Sequence, residues 1–471
     1  MSLQTPDPKR WKALALLCAA QFIVILDTSI IGVALPAIQA DLGFTDDGLS
    51  WIFNAYVIAF GGLLLLGGKL ADVFGARRIF LTGFGILTAS SLLAGLADSQ
   101  VMLLTGRALQ GVGAALIAPA ALSILMRLFG AQPSELGRAF GFWGASAAAG
   151  GTAGVFLGGV ITEWMSWEWT FLVNVPLGLA VLALGPAVLP TVSRSRGKIG
   201  VVDAALVTGA IVAAVYGIVT AEKVGWFAPQ TLLCLGGALV MLALFLIQQA
   251  TSRDPLLPLR LFRAPGLAVG NLVMALLGAA WIPLWFFLNL YLQQVLDLSA
   301  FGSGLALLPM TLVIMAFMVK FTGTLIGRIG VKPVMVTGLI ALSGALGLLS
   351  VLPADGTYLA SVLPASLIAA LGMALAYIPV TMTGMSGAAP KDTGLASGLI
   401  NTTYQVGSAL GLAVMVSVAA AQLSGAPHEA MDALSGYRAA FLGAAVVALL
   451  ASAAALVFVR SNAKSADVPV G

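Results

Sequence analysis

Charged and reactive side chains are scarce in this chain. Asp, Glu, Lys and Arg make up 9% of its 471 residues, which include one histidine, His428, and two cysteines, Cys18 and Cys234. So few His and Cys residues exclude a zinc site built from them and a disulfide framework. The glycine pairs do not follow a strand, as a nucleotide-binding loop requires. We therefore expect no metal site, no cofactor, no catalytic residue and no enzymatic activity.

Apolar residues dominate instead. They form 60% of the chain, and the mean hydropathy is +1.03. No soluble domain of this length can bury so much apolar surface, whereas a membrane-spanning helix needs about 20 apolar residues in a row. Fourteen such spans are predicted, numbered here from the N-terminus: 12–35, 49–67, 79–97, 102–126, 139–161, 169–189, 202–221, 230–249, 266–291, 303–326, 333–352, 358–383, 395–421 and 438–459.

The placement of the basic residues supports this count. Most of the 23 Lys and Arg residues fall in every second loop and near both chain ends. Cytoplasmic loops of membrane proteins carry such an excess, so the alternation predicts an even number of spans with both termini in the cytoplasm. The net charge of +4 then reflects topology, and no nucleic-acid partner is expected.

Asp27 is a carboxylate in an otherwise apolar span. Roughly 22 Å of helix separate it from Lys12, which places it inside a hydrocarbon core about 30 Å thick. An unpaired charge there costs at least ~2.5–3.5 kcal/mol, so we expect Asp27 to face the bundle interior and to be functional. Burial favours a neutral carboxyl, which suits a group that takes up and releases protons. Arg107 in span 4 is its natural counter-charge; the alternative is a static ion pair that fixes helix register.

The chain contains an internal repeat. The loop GKLADVFGARRIFLTG at residues 68–83 and the loop GTLIGRIGVKPVMVTG at residues 323–338 align without gaps and share three glycines. Two copies of one turn predict a duplicated bundle. We therefore expect a six-helix bundle over residues 1–190, two additional helices with their linkers over 191–264, and a second six-helix bundle over 265–471.

Several motifs occur in a characteristic order. Span 1 ends in LDTSIIGVALP, the loop at 68–78 reads Gly-x-Leu-Ala-Asp before paired arginines, and Arg107 precedes Gln110 and two glycines. Span 5 carries spaced glycines, and the stretches 167–178, 255–263 and 290–309 add further matches. The chain resembles the fourteen-helix drug/proton antiporters of the major facilitator superfamily, of the multidrug efflux type, over nearly its whole length.

This resemblance implies a fold and a division of labour. The fold is an all-α polytopic membrane protein with the major facilitator fold, two six-helix bundles plus two extra helices, and cytoplasmic N and C termini. Asp27 is implied to couple transport to protons, with Arg107 tuning it. The span-5 glycines are implied to form the antiporter motif that opposes leakage, although plain close packing explains them equally. They are Gly141, Gly150, Gly154, Gly158 and Gly159.

The loop after span 2 has a mechanical interpretation. We expect Asp72 to lie at a helix N-terminus of the opposite half, where a carboxylate is favoured by about 0.3–1 kcal/mol. Arg77 and Arg78 are expected to hold inner carboxylates or lipid phosphates. The conformational gate then consists of Gly68, Asp72, Gly75, Arg77 and Arg78. The alternative is an ordinary basic anchor of the cytoplasmic face.

Polar and aromatic residues that share helical faces are expected to line a substrate cavity between the two halves. Aromatic faces bind lipophilic cations. Each residue taken singly also suits an interhelical hydrogen bond or an interfacial aromatic belt. The predicted lining comprises Asn54, Gln110, Trp143, Trp285, Asn289, Gln293, Asn401, Tyr404 and Gln405.

The expected function is proton-coupled efflux of lipophilic, often cationic drugs or antibiotics across the bacterial inner membrane by alternating access, with the proton gradient as energy source. Its partners are then a small lipophilic substrate, protons and membrane lipids. Val155 stands where the antiporter motif usually has proline, which leaves a uniporter or symporter open. A narrow-substrate exporter or lipid flippase shares the fold, and a non-transporting receptor or assembly partner is a further alternative.

Overall fold

The computed structural model describes residues 10–44, 46–130, 132–191, 200–252, 255, 259, 262, 265–386, 388, 392–423 and 430–459. Within these ranges every regular element is a helix, and no strand occurs. His428 and most of the predicted linkers on either side of spans 7 and 8 lie outside the described residues. Cys18 and Cys234 are both free thiols.

Each predicted span corresponds to a helix or to a run of consecutive helices. Spans 1 to 6 are Arg10–Ser29 with Ile31–Leu42, Asp46–Phe74, Ala76–Gly95, Gln100–Phe129, Pro133–Trp164, and Trp169–Leu172 with Asn174–Val188. Spans 7 and 8 are Val201–Val224 and Pro229–Thr251. Spans 9 to 14 are Pro265–Gln294; Ala300–Phe317 with the π-helix Met318–Thr322 and Gly323–Ile329; Val331–Leu349; the π-helix Tyr358–Val362 with Leu363–Gly384; Thr393–Leu423; and Ala430–Phe458.

The length and hydropathy of these helices confirm a polytopic membrane protein. Among the described residues, 13 helices are long and apolar enough to cross a membrane. The remaining predicted span, span 7, contains the shorter apolar stretch Val202–Ile218. The prediction of an all-α polytopic membrane protein is therefore confirmed, with 13 helices that meet these criteria and a shorter fourteenth; the side of the membrane on which the termini lie stays a prediction.

The packing of the spans repeats between the two halves of the chain. In the first half, span 1 packs against spans 5 and 6, span 4 against spans 2 and 3, and span 3 against span 6. In the second half, span 9 packs against spans 13 and 14, span 12 against spans 10 and 11, and span 11 against span 14. Each contact recurs eight spans later, as a duplicated six-helix bundle requires.

The two copies of the repeated turn have the same backbone conformation. Gly75 joins spans 2 and 3 at φ +95°, and Gly330 joins spans 10 and 11 at φ +90°. A positive φ is readily adopted by glycine alone, so both turns reverse the chain where only glycine fits without strain. The glycines aligned in the sequence are therefore structurally equivalent.

The halves meet mainly where span 2 packs against span 13 and span 5 against span 10, and span 4 also packs against span 13. Span 7 packs against spans 2, 8 and 13, so the additional pair of helices lies beside one of these contacts. Span 8 is peripheral: Leu233 is 76% and Leu239 is 68% exposed. The assignment of three separate domains stays a prediction.

Candidate functional site

Asp27 lies near a break in span 1. The helix that contains it ends at Ser29, and the next begins at Ile31. The hydroxyl groups of Thr28 and Ser29 both donate to the carbonyl oxygen of Ile25, at 2.8 and 2.9 Å. Such side-chain bonds to the preceding turn bend helices, which accounts for a break at this position. Asp27 itself is 1% exposed.

Three side chains donate hydrogen bonds to the Asp27 carboxylate. Arg107 Nη1 donates to Oδ2 at 3.1 Å, while Gln110 Nε2 and Asn174 Nδ2 donate to Oδ1 at 2.8 and 2.6 Å. The donors come from spans 4 and 6, so the hydrogen bonds to Asp27 in span 1 join three spans of the first half. We call these four residues the charge cluster: Asp27, Arg107, Gln110 and Asn174.

Arg107 is fully buried and is held by groups from two further directions. Its Nε donates to the carbonyl oxygen of Ile52 at 3.0 Å, and its Nη1 also donates to Gln110 Oε1 at 2.9 Å. The guanidinium carbon lies 4.6 Å from the ring centroid of Tyr56, a cation–π distance. Both Ile52 and Tyr56 belong to span 2. Arg107 therefore links Asp27 in span 1 to the backbone and a ring of span 2.

Some buried polar atoms of this region have no hydrogen-bond partner among the described residues. They are Arg107 Nη2, Asn174 Oδ1 and the Tyr56 hydroxyl. Buried polar groups are nearly always paired, so each exception calls for an explanation. The cluster thus combines a paired carboxylate with donors and acceptors that have no protein partner among the described residues.

The Asp72 carboxylate bridges the two halves at the end of the bundle that carries Arg10, Arg77 and Arg138, called here the basic end. It accepts the backbone N–H groups of Gly394 at 2.9 Å and Leu395 at 3.0 Å. These are the second and third residues of span 13, where unpaired N–H groups and the helix dipole favour an anion. Asp72 is 3% exposed. The two halves are therefore joined at the basic end.

Glycines allow this contact to form between two backbones. A Cβ at Gly68 would overlap the carbonyl oxygen of Gly394, and one at Gly398 would lie 2.8 Å from the Leu64 carbonyl oxygen. Gly75 forms the turn that follows. Arg77, by contrast, donates to the Pro186 carbonyl oxygen of its own half at 2.5 Å, and Arg78 is exposed. Arg77 therefore contacts a carbonyl group here, and the binding of inner carboxylates or lipid phosphates by Arg77 and Arg78 stays a prediction.

The span-5 glycines divide between two neighbours. Added Cβ atoms at Gly150, Gly154 and Gly158 would lie 2.6 Å from atoms of Phe22, Ser29 and Ile30 in span 1. The remaining two face span 10: Gly141 lies against the Met318 backbone and Gly159 near Phe301. The side chain of Val155 lies outside the described residues. The stripe therefore packs span 5 against the broken segment of span 1 on either side of Asp27.

A family model described as Major Facilitator Superfamily matches residues 17–412. The chain belongs to this superfamily. Membership makes the protein a transporter and not an enzyme, and it agrees with the duplicated bundle and the bridge between the halves.

Several curated Major Facilitator Superfamily relatives cover most of the chain. The cephamycin export protein CmcT of Amycolatopsis lactamdurans is 41% identical over 443 residues, 93% of this chain and 90% of that protein. The puromycin resistance protein pur8 of Streptomyces alboniger is 37% identical over 98% of this chain and 94% of its own. The multidrug resistance protein Stp of Mycobacterium tuberculosis is 32% identical over 86% of this chain and 76% of its own. These relatives are export and resistance proteins.

A solved structure supports the superfamily fold. The human organic anion transporter MFSD10 superimposes with a TM-score of 0.70 at 17% identity, covering 95% of this chain and all of that one. At this identity the match concerns the fold alone. Together with the family model, it confirms that the chain has the major facilitator architecture predicted from its motifs.

The structure distributes the remaining predicted cavity residues of this Major Facilitator Superfamily chain over several environments. Trp285 packs edge-on against Trp281 at 6.2 Å between ring centroids, and Tyr404 packs in the same way against Tyr377 at 6.3 Å. Trp143 is 4% exposed in the hydrophobic core. Asn54, Asn401 and Gln405 are half-buried. Two aromatic pairs of the second half therefore offer the broad apolar faces expected of a cavity.

Two predicted cavity residues, Asn289 and Gln293, are hydrogen-bonded to each other. Gln293 donates to the Asn289 side-chain oxygen at 3.0 Å, and the Ser303 hydroxyl donates to the same oxygen at 3.0 Å. This network ties span 9 to span 10. Gln110, also predicted to line the cavity, belongs to the charge cluster and is fully buried. That these residues contact substrate stays a prediction.

Two residues, one in the charge cluster and one beside it, were not predicted from the sequence. Asn174 contributes the shortest hydrogen bond to Asp27, at 2.6 Å, and Ser91 accepts a hydrogen bond from Gln110 at 2.8 Å. A signal for Asn174 exists, since a polar side chain in an apolar span is expected to face the bundle interior. Ser91 carries no such signal, because small hydroxyls are common in membrane helices and often bond to their own backbone.

Proposed function

We propose that the protein exports lipophilic antibiotics or drugs across the cytoplasmic membrane of a bacterium in exchange for protons, by alternating access. The observation that carries this proposal is the buried Asp27–Arg107 pair, at 3.1 Å with both side chains at or below 1% exposure. A carboxylate held by one cation and two amides can accept a proton once those donors withdraw. The names of the relatives, which refer to export of one antibiotic and resistance to another, support the choice of substrate class.

Span 2 supplies a route from proton binding to the gate. Ile52 and Tyr56, which hold Arg107, lie on the same helix as Asp72, which binds the span-13 N-terminus. Twenty residues of helix separate Ile52 from Asp72, roughly 30 Å. Protonation of Asp27 would release Arg107 from its counter-ion, and a shift of Arg107 would move span 2. Movement of span 2 then strains or frees the contact at the basic end.

The glycine stripe of span 5 fits the same cycle. It packs closely on the broken segment of span 1 from Phe22 to Ile30, which includes Asp27, and two of its members face span 10 of the other half. Close backbone contact of this kind is sensitive to small shifts of either helix. A change at Asp27 is therefore transmitted along span 2 and span 5, two helices that contact the other half.

Two aspects of the substrate follow from the site. Asp27 is 1% exposed and bonded to three donors, so in this closed arrangement a cationic substrate would rely on aromatic faces such as Trp285 and Tyr404. A second candidate, export of a single dedicated compound, is favoured by the names of relatives that refer to one antibiotic each. A panel of substrates separates the broad exporter from the dedicated one.

The proposal is tested with Asp27→Asn, which keeps the shape of the side chain but cannot bind a proton. In proteoliposomes with the membrane potential clamped, the parent protein should accumulate ethidium or an antibiotic against its gradient. One proton per cycle allows roughly tenfold accumulation per pH unit, since a pH unit is worth about 1.36 kcal/mol. Asp27→Asn should reach no accumulation, while substrate exchange without a pH gradient persists.

The matched control is Asp203→Asn, because Asp203 is another buried acid, 3% exposed, and lies in span 7 away from the charge cluster. This control should accumulate substrate as the parent does. Full accumulation by Asp27→Asn would remove Asp27 from the coupling mechanism. If no compound of the panel moves in the parent, export of broad drug classes is wrong.

A further inference from the structure

An apolar cavity lies between spans 1, 5 and 10, apart from the charge cluster and the aromatic pairs. Its volume is about 570 Å³, and its walls include Trp11, Phe22, Phe142 and Met315. The side chains with polar N–H, O–H or S–H groups in the lining are those of Trp11, Cys18 and Ser146. The volume falls within the range of ligand cavities, about 300–1,000 Å³. Phe142 is 38% exposed, so the cavity is open on one side.

Basic side chains surround the end of this cavity that lies nearest the basic end of the bundle. The Arg138 guanidinium carbon lies 5.3 Å from the ring centroid of Trp11, and Lys12 lies one helical turn before Ala15, which lines the cavity. Both basic residues are exposed. Arg10 is paired with Glu135 at 2.8 Å, which neutralises the acid in this region. The rim therefore carries a positive excess of Lys12 and Arg138 above apolar walls.

We propose that this cavity binds one acyl chain of an anionic phospholipid, with the phosphate headgroup against Lys12 and Arg138. Apolar walls with a cationic rim complement a molecule that has a long apolar chain and a negative head. A drug of the efflux class, apolar and often cationic, would be repelled by that rim. Anionic lipids are also abundant where basic segments of membrane proteins lie, and each Lys or Arg strengthens their binding.

The position of the cavity gives such a lipid a consequence for transport. Its walls come from spans 1 and 5 of the first half and from span 10 of the second. In span 10, Met315 precedes the π-helix Met318–Thr322 and Val319 lies within it. A rocking motion of one half against the other would change the cavity. A lipid that fits this arrangement more tightly than its alternative would favour it. This inference concerns lipid binding and holds whether or not the exported compound is a drug.

Photo-crosslinking of the purified full chain tests the proposal. Phosphatidylglycerol and phosphatidylcholine, each with the same diazirine-bearing acyl chain, are compared, and the labelled peptides are identified by mass spectrometry. Phosphatidylglycerol should label spans 1, 5 and 10 around the cavity. Lys12→Gln and Arg138→Gln should each weaken its binding roughly fivefold, because one rim charge is lost. Arg328→Gln, an exposed charge change at the basic end in span 10, should leave labelling unchanged.

A cavity-filling variant tests whether the lipid's acyl chain lies in this cavity. Ala149→Phe should suppress labelling at the cavity by both lipids, and the exposed rim variants keep the test valid if this buried change disturbs folding. Equal labelling by the two lipids, with no effect of the rim variants, would overturn the proposal. So would labelling confined to other surfaces. Displacement of phosphatidylglycerol by an exported drug in proportion to its transport would identify the cavity as a substrate site and also overturn it.

Discussion

Replacing Arg107 with glutamine is expected to lower the free energy of unfolding by about 3–5 kcal/mol, because Asp27 is then left buried without its counter-charge. In the parent the two groups lie 3.1 Å apart, and neither is more than 1% exposed. Gln110 and Asn174 still donate to the carboxylate, but amides do not neutralise it. Unfolding in detergent or bicelles, followed by steric trapping, measures the loss. The loss should shrink at low pH, where a proton neutralises Asp27.

A double-mutant cycle separates this pair from general damage to the core. Asp27→Asn combined with Arg107→Gln removes both charges and should cost less than Arg107→Gln alone. Arg328→Gln is the control, since an exposed arginine outside special contacts should change stability by no more than about 0.5 kcal/mol. If the double variant loses the sum of the two single losses, Asp27 and Arg107 do not stabilise one another.

Adding one methyl group at Gly68 is expected to shift the protein away from the arrangement closed at the basic end. In Gly68→Ala the new Cβ would overlap the Gly394 carbonyl oxygen and lie 3.0 Å from its carbonyl carbon. Backbone atoms cannot rotate away, so spans 2 and 13 must separate. Overpacking costs about 1–3 kcal/mol, and as a bias between two arrangements this is a 5–150-fold shift. Spin labels on the basic ends of these spans should report a longer distance.

Gly327 provides the matched control for Gly68. It lies in the second copy of the turn motif, where it takes the place of Asp72, and an added Cβ there meets nothing within 4 Å. Gly327→Ala should therefore leave the distance between spans 2 and 13 and the transport rate unchanged. Parent-like distances in Gly68→Ala would show that the contact is not required for closure. A loss in both variants would point to the turn sequence and not to the gate.

The spans and their duplication could be predicted because membrane depth leaves a strong signal in the sequence. Runs of about 20 apolar residues mark helices, and the repeated turn revealed the two halves before Gly75 and Gly330 were seen to share a positive φ. Asp27 and Arg107 were identifiable for a related reason, whereas Asp72 was identified from the loop motif that contains it. A charge in an apolar span is costly enough that its position alone indicates a role.

Features that depend on the rotation of helices could not be predicted in the same way. Hydropathy gives the depth of Gln110 but not its neighbours, so a residue expected in the cavity proved to bind Asp27. Arg77 donates a hydrogen bond to a carbonyl group in span 6, more than a hundred residues away in the chain. The π-helix Met318–Thr322 and the cavity beside it arise from contacts between spans of opposite halves. No local pattern encodes such long-range pairings.

Proton movement driven by substrate tests most directly whether Asp27 carries the exchanged proton. Proteoliposomes that contain a pH-sensitive dye are loaded with substrate and diluted, so that only the substrate gradient drives transport. We expect the parent to move protons opposite to the substrate, and Asp27→Asn to move substrate with no proton signal. Proton movement of parental size in Asp27→Asn, or substrate movement in the parent without any proton signal, would contradict this expectation.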